Sequence, residues 1–483
     1  MAVKGFRRRC NPLYILSEEE VQKVHIATLD ILRETGVRFE SRWAIDLFKK
    51  NDCIVDEADF RVRFPEALVE ECIRKTPGVF RTKAREEKHN MVYEGDTVYF
   101  QDMPAMHTID LKSFETKPPT KREYIDYITV LDALPTVHGL SAYPYFGCGG
   151  ISPVMMMPEL MALKFKYTSK FHECPYSNDS EIFAIKMAQT AGTEILGAIS
   201  LSAPLTWNEA AVTQARRFIE AGFPVGPCSG SIFGATAPVT IAGAVAKTNA
   251  ELASMLVMIQ LMKPGTRALM WVADFPQNMR TGSPAFGQIG SSINNALFNQ
   301  IWNFYKVPTA NATVGCINSK TPDFQSGYER TMGALISALS GCSLVQLHGG
   351  IMGELSGHPV QAVLDDDIAG MIGRFIEGET VADDTLAVDL IRKVGPIPGH
   401  YLGTSHTREW WSKVQYVPKS ADRTANYKSW EDTGRKTSVE YAKDRADEIL
   451  ATHKTSVLDD KNMKEIDRIL KEANDYYKKR GML

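Results

Sequence analysis

In the run SLVQLHGG, Gln346 and His348 alternate with Val345 and Leu347, and the run stops at Gly349 and Gly350. Successive side chains of a strand point to opposite faces, so this spacing sets an amide and an imidazole on one side and two aliphatic chains on the other. If the polar face turns toward the inside of a closed sheet, His348 ends its strand at the rim, where an imidazole can meet a ligand. The same alternation in NATVGC sets Asn311 and Thr313 apart from Ala312 and Val314. The chain then spends Cys316, Asn318, Lys320, Asp323 and Gln325 on one strand-to-helix corner. Because Pro322 and Asp323 stand where a helix would begin, Asp323 also reads as a helix N-terminal acid, with Lys320 its solvated neighbour.

Aromatic residues gather at the ends of the same strand-like runs: Phe100, Tyr143, Tyr145, Phe146, Trp271, Phe275 and Phe286 among them. Each taken alone is as good a core residue as a site residue. Taken together they suit a cation that has no hydrogen-bond donors, because one ring face stabilises such an ion by roughly 0.5–2 kcal/mol. A trimethylammonium group is the obvious ligand of that kind.

The elements that must position these residues follow one pattern from about residue 120. Apolar strand-like runs (TVHGLSAYP, SKFHECPY, EILGAISLSA, FPVGPCSG, TRALMWVAD, VPTANATVG, CSLVQLHGG) alternate with helix-like runs such as NEAAVTQARRFIEAG and GYERTMGALISALSG. This repetition predicts an α/β fold, a TIM (β/α)8 barrel, with its site at the C-terminal strand ends. A doubly wound sheet competes, but no GxGxxG opens a helix and no GxxxxGK[ST] is present. Before the barrel, LSEEEVQKVHIATLDILRETG is a helix with a Ser17/Glu20 capping box and a Gly36 stop, and the first ninety residues or so read as a helical cap. DTVYFQDMPAMHTIDLKSFETKPP reads as a hairpin. The expected division is 1–120 for the cap and hairpin, 121–415 for the barrel, and 416–483 for a charged helical extension with Ile466, Ile469, Leu470 and Ala473 on one face.

Bulk properties set the outer bounds. The chain has 483 residues, 44% of them hydrophobic, enough for one large core with appended segments. Its 55 basic and 58 acidic residues leave a net charge of −3, which argues against nucleic acid or an anionic membrane as partner. The basic start MAVKGFRRRC leads into NPLYILSEEE without a signal-like apolar run, and ISPVMMMPELMALKF is broken by Pro153, Pro158 and Glu159. Eight cysteines lie scattered without a CxxC pair, which fits reduced thiols and a cytoplasmic location. His138, His172 and His348 fall on different runs and no HxH pair occurs, so a metal-dependent barrel hydrolase is disfavoured and no metal, flavin or nicotinamide is expected.

Four segments carry a resemblance to a known family: GDTVYFQDMPAMHTIDLKSFETKPPTKREYIDYITVLDALP, INSKTPDFQSGYER, LVQLHGGIMGELSG, and LDDDIAGMIGRFIEGETVADDTLAVDLIRKVGPIPGHYLGTSHTREWW. They run from about residue 95 to 411, in family order, and the chain resembles the trimethylamine methyltransferase superfamily, in particular its members without pyrrolysine. The resemblance implies a TIM barrel that passes a methyl group from an amine to the Co(I) corrinoid of a small partner protein, or to free cobalamin, with no cofactor held tightly by the enzyme. The trimethylamine enzymes carry pyrrolysine shortly before a segment like SKTPDFQSGYE, whereas TVGCINSK here holds ordinary residues. That departure points away from trimethylamine and toward a quaternary amine, glycine betaine first, yielding dimethylglycine and a methylated corrinoid.

On this reading His348 and Asn311 orient a substrate carboxylate or order water. Phe100, Asp102, Tyr143, Trp271, Phe275, Arg280, Phe286 and Gln346 surround the substrate, with Arg280 and the amides near Gly230 and Gly234 as further carboxylate partners. A homo-oligomer is expected. The alternatives are demethylation of carnitine, proline betaine or choline, and a non-catalytic betaine-binding protein.

Overall fold

The computed structural model describes residues 5–103, 105–141, 150–175, 178–353 and 356–483. Among them, eight parallel strands close into a barrel: β1 (Thr97–Asp102), β2 (Gly139–Leu140), β3 (Phe171–Cys174), β4 (Ile195–Ser200), β5 (Val225–Cys228), β6 (Met270–Val272), β7 (Thr309–Asn311) and β8 (Leu344–His348). The ring shuts where β8 pairs with β1, Leu344 opposite Tyr99 and Gln346 opposite Gln101. Each strand is followed by a helix of the outer layer: α1 (Lys121–Ala133), α2 (Met156–Tyr167), α3 (Glu181–Thr190), α4 (Glu209–Glu220), α5 (Ile241–Met262), α6 (Ile289–Phe304), α7 (Phe324–Leu339) and α8 (Pro359–Ile376). The expected (β/α)8 class is the one observed.

The first strand comes from DTVYFQD, the opening run of the segment expected to be a hairpin. All six residues of β1 are buried, as they must be in a strand covered by helices outside and side chains inside. The hairpin is shorter and later, His107–Ile109 against Thr116–Lys117. The barrel strands therefore begin at residue 97, inside the segment expected to form the cap and hairpin, and they end at 348.

The N-terminal end of the barrel is stoppered by the antiparallel ribbon Phe80–Thr82/Met91–Tyr93. Phe80, Met91 and Tyr93 share one buried cluster with Tyr99, Phe171, Leu196 and Leu344 from the strands. The Tyr99 hydroxyl accepts a bond from the Val92 amide at 2.9 Å, tying strand to ribbon. Helix α5 is apolar nearly all round and is buried from Ala244 to Gln260, because the N-terminal helices Glu18–Asp30 and Glu66–Lys75 lie on its outer side. The cap thus covers the flank of the barrel. Ser17 and Glu20 make the expected reciprocal capping box. The C-terminal helices Ser438–Thr452 and Asp460–Lys479 wrap this same barrel, and Ile466, Ile469 and Ala473 are buried beside α2 and α3.

Candidate active site

Above the apolar floor, alternation along each strand decides what faces the shaft. Gln101, Glu173, Cys228, Trp271 and Gln346 take the inward positions next above Tyr99, Phe171, Leu196 and Leu344. Gln101 Nε2 donates to Glu173 Oε1 at 2.5 Å, so a carboxylate is held inside the barrel by a neutral amide from the neighbouring wall. Trp271 lies flat enough against β5 that a Cβ on Gly226 would come within 2.7 Å of its Nε1. That indole N–H is buried and has no hydrogen-bond acceptor among the described residues. Ala198, Ser200, Cys228 and Ala312 are partly exposed although they belong to the barrel wall, so the shaft opens toward the C-terminal strand ends. Its walls there are small side chains.

Two aromatic rings stand above this opening. Phe275 and Phe286 pack with centroids 4.6 Å apart, and a Cβ on Gly353 would meet the Phe286 ring at 2.8 Å. The loops after β6 and β8 are thereby stitched together. Asp274 does the same for β5 and β6: it is buried and accepts from Ser229 Oγ at 2.7 Å, Ser231 N at 2.8 Å and Thr248 Oγ1 at 2.7 Å. Burial raises its pKa and those three bonds oppose the rise.

The segments QSGYER and LDDD meet under the β8 rim. Arg330 of α7 and Asp365 of α8 are both fully enclosed, 3.2 Å apart. Arg330 also donates to Leu347 O at 2.9 Å and to Gly350 O, while Asp365 accepts the Gly349 amide at 2.8 Å and Gln361 Nε2 at 2.9 Å. This ion pair fixes the turn that leaves β8. Gly349 itself has φ +87°, and a Cβ there would fall 2.1 Å from the Tyr127 hydroxyl, so only glycine fits. Asp366 takes the Thr136 hydroxyl at 2.6 Å, and Asp367 takes the amides of Lys419 and Ser420. Asp323, as one of the two readings had it, caps α7 through the Ser326 amide at 2.8 Å, and Lys320 is exposed on Asn318 O.

The structure does not bring all the expected site residues together. Gln346 and Trp271 line the shaft, and Phe275 and Phe286 stand over it. His348 does not share the face of Gln346, because the β8–β1 register slips between these two residues. The slip turns the imidazole to the helix side, where Nε2 meets Thr136 Oγ1 at 2.8 Å and Nδ1 meets Gln101 O at 3.3 Å. Asn311 is likewise on the outer face: it exchanges two amide bonds with Asn299 of α6, at 3.0 and 3.1 Å, while Ala310 and Ala312 join the interior cluster. Phe100 packs outward with Val345, Leu347 and Ile372. Asp102 is buried against the loop after β2, accepting Ser141 N at 2.6 Å, and burial pushes its carboxyl up to about 6 despite the nearby Lys164. Arg280 is exposed on the turn Asn278–Gly282, outside the shaft. Tyr143 lies outside the described residues.

Gln101 and Glu173 were missed. The signal was present in VYFQD and FHEC: Gln101 shares parity with Tyr99, and Glu173 with Phe171, but both faces of these strands are apolar enough that the inward one cannot be told from composition.

The position of His348 has a consequence for acid stability. Burial holds its pKa down at about 3, with His138, Lys170 and Arg330 adding repulsion, against an unfolded value near 6.5. The unfolded chain binds the extra proton below that value, so this stabilisation is complete above about pH 6.5 and is lost as pH falls toward 3. Between pH 6.5 and 5 the loss from this one residue is about 2 kcal/mol. Thermal midpoints measured across that range should fall less steeply for His348→Gln than for the parent chain, whatever the offset between them at pH 7.

Among the described residues, no three His, Cys, Asp or Glu side chains converge to hold a metal ion, and no helix is long and apolar enough to cross a membrane. A family model described as trimethylamine methyltransferase matches residues 1–477. The glycine betaine methyltransferase of Desulfitobacterium hafniense (strain Y51) is 29% identical over 458 residues, 92% of this chain and 94% of the relative. A trimethylamine methyltransferase of Methanosarcina barkeri (strain Fusaro / DSM 804) is 26% identical over 513 residues, covering 100% of this chain and 99% of its own. The solved monomethylamine methyltransferase of Methanosarcina barkeri superposes with a TM-score of 0.52 at 11% identity, over 96% of this chain and 88% of that one, which is a likeness of fold.

Proposed function

The chain belongs to the trimethylamine methyltransferase family, and from that membership we propose that it moves a methyl group from a quaternary amine, glycine betaine first, to the Co(I) corrinoid of a partner protein. The observation that carries this reading is the shaft: one carboxylate, Glu173, held by the Gln101 amide, with Gln346 paired beside Gln101 and the Trp271 ring on another strand of the same interior, over an apolar floor. A trimethylammonium group offers no hydrogen bonds, so a ring face and a fixed carboxylate are what can hold it. The amides can donate to the carboxylate at the other end of glycine betaine, which favours it over choline. The relative named for glycine betaine, and the ordinary residues throughout TVGCINSK, support the same substrate class.

The chemistry asks little acid–base work of the protein. When the C–N bond breaks, its electron pair stays on nitrogen, and a quaternary ammonium leaves as a neutral tertiary amine without taking a proton. The corrinoid, when docked at the open end, supplies the electron pair for the new bond to the methyl carbon. The small side chains Ala198, Ser200, Cys228 and Ala312 fit an acceptor that approaches from above and is too large to enter. This chain's part is to hold one N-methyl group toward that opening and to keep water from the caged cation.

Calorimetric titration tests the binding half of this reading. Glycine betaine should bind, choline more weakly, and Trp271→Leu should weaken betaine binding by up to about thirtyfold, the worth of one ring face. Binding of trimethylamine with none of either quaternary amine would reject it.

A further inference from the structure

Helix α5 carries two charged side chains in an otherwise uncharged sequence, Lys247 and Glu251, and both are buried. They pair at 2.5 Å, one turn apart. Burial lifts the Glu251 carboxyl to about 7 even beside the ammonium, so the pair stands against a large loss of hydration. An ion pair enclosed in this way adds little to stability over two apolar groups of the same size. Its role lies in what the two side chains hold.

Each of them reaches a loop at the C-terminal strand ends. Glu251 Oε1 accepts the Leu205 amide at 2.7 Å, in the loop after β4. Lys247 donates to the Ser231 hydroxyl, in the segment after β5. Thr248, the next residue on α5, donates to Asp274 Oδ2 at 2.7 Å, two residues beyond β6. One turn of α5 thus ties down three consecutive loops of the rim.

Ser231 is where these ties meet the shaft. Beyond the barrel, β5 and β6 resume as a short parallel ribbon, Ile232–Phe233 against Phe275–Pro276. The ribbon is held by Phe275 N donating to Ser231 O at 3.0 Å and Gln277 N donating to Phe233 O at 3.3 Å. Ser231 is completely enclosed, and its amide donates to Asp274 Oδ1 at 2.8 Å. With the amide on Asp274 and the hydroxyl on Lys247, the direction of the Ser231 carbonyl is set, and that carbonyl carries Phe275. Phe275 in turn packs on Phe286 above the opening. An ammonium has three N–H donors, so Lys247 can serve Glu251 and Ser231 at once.

We propose that Lys247 is a positioning residue for the Phe275 ring: through Ser231 it fixes the ribbon that presents this ring to the substrate, an inference that rests on reading the shaft as the site of a caged cation. A ring face attracts a cation only when it is turned toward it, so a ribbon free to shift loses that attraction without losing the fold.

Two variants separate the hold on Phe275 from the stability of the chain. Ser231→Ala removes one hydroxyl and leaves the Lys247–Glu251 pair intact. Lys247→Met/Glu251→Gln removes both charges together, with the glutamine oxygen still able to accept the Leu205 amide. In the full-length chain without ligand, hydrogen exchange at the Phe275 and Gln277 amides should be about five- to tenfold faster in both variants, the worth of one buried hydrogen bond, with exchange across α8 unchanged. In calorimetry both should bind glycine betaine about three- to tenfold more weakly than the parent, and in a Phe275→Leu background neither should add a further loss. Unchanged exchange at Phe275 and Gln277, or the same loss of betaine affinity with and without the Phe275 ring, would overturn the proposal. A parent chain that binds no quaternary amine would instead reject the caged cation, and exchange measured without ligand tells that result apart from a failure of the Lys247 contact.

Discussion

Replacing Glu173 by Gln is expected to lower kcat/KM for glycine betaine by about 30- to 5,000-fold while leaving the thermal midpoint nearly unchanged. The side chain keeps its volume and can still bond Gln101, which now holds its carboxylate at 2.5 Å. What disappears is a negative charge fixed in a shaft that is buried except at its C-terminal end. Removing one member of a buried charge pair costs about 2–5 kcal/mol, most of it as the penalty for leaving the cation unpaired. The loss should appear in KM as well as kcat, because the ammonium is charged before the reaction and its charge is lost only as the C–N bond breaks. A variant with parental kcat/KM would remove Glu173 from the site.

The second large effect is on stability. Arg330→Met should cost about 3–5 kcal/mol in urea unfolding, since it strands the Asp365 carboxylate where no water reaches it. Burial already lifts the Asp365 carboxyl to about 6 with the guanidinium present, and the same burial penalises its charged form further once the guanidinium is gone. The double variant Arg330→Met/Asp365→Leu should recover part of the loss, because two apolar groups replace the pair. Its turnover should still be poor: Leu347 O, Gly350 O and the Gly349 amide lose the partners that set the turn after β8. Equal stability of the single variant and the parent would show that the pair contributes nothing.

The barrel was legible because its repeat is long and regular, and seven of its eight strands fall within runs picked out by their apolar texture. The strand that escaped, β1, shows why: Thr97–Asp102 is buried on both faces and runs directly into the segment that forms the hairpin, so the two were read as one unit. The interior was harder to read. Alternation separates two faces but does not say which is inside when helices cover the other. At β7 the reading chose Asn311 over Ala312, but an outward Asn costs nothing when Asn299 of α6 answers it with a matching amide. At β8 the alternation held as far as Gln346, and one slipped pairing carried His348 away from it. Trp271 was found because an aromatic on a short strand is conspicuous. Glu173 was not, since a lone acid in FHECPY looks like surface until its neighbours are known.

The most direct measurement of the central claim is the loss of Co(I) absorbance when the purified chain is mixed with reduced cobalamin and one amine at a time. Glycine betaine should consume Co(I) and release dimethylglycine in equal amount, with choline, carnitine and proline betaine slower and trimethylamine inert. Consumption of Co(I) with trimethylamine, and with no quaternary amine, would contradict both the substrate class and the argument from the charge of the leaving nitrogen.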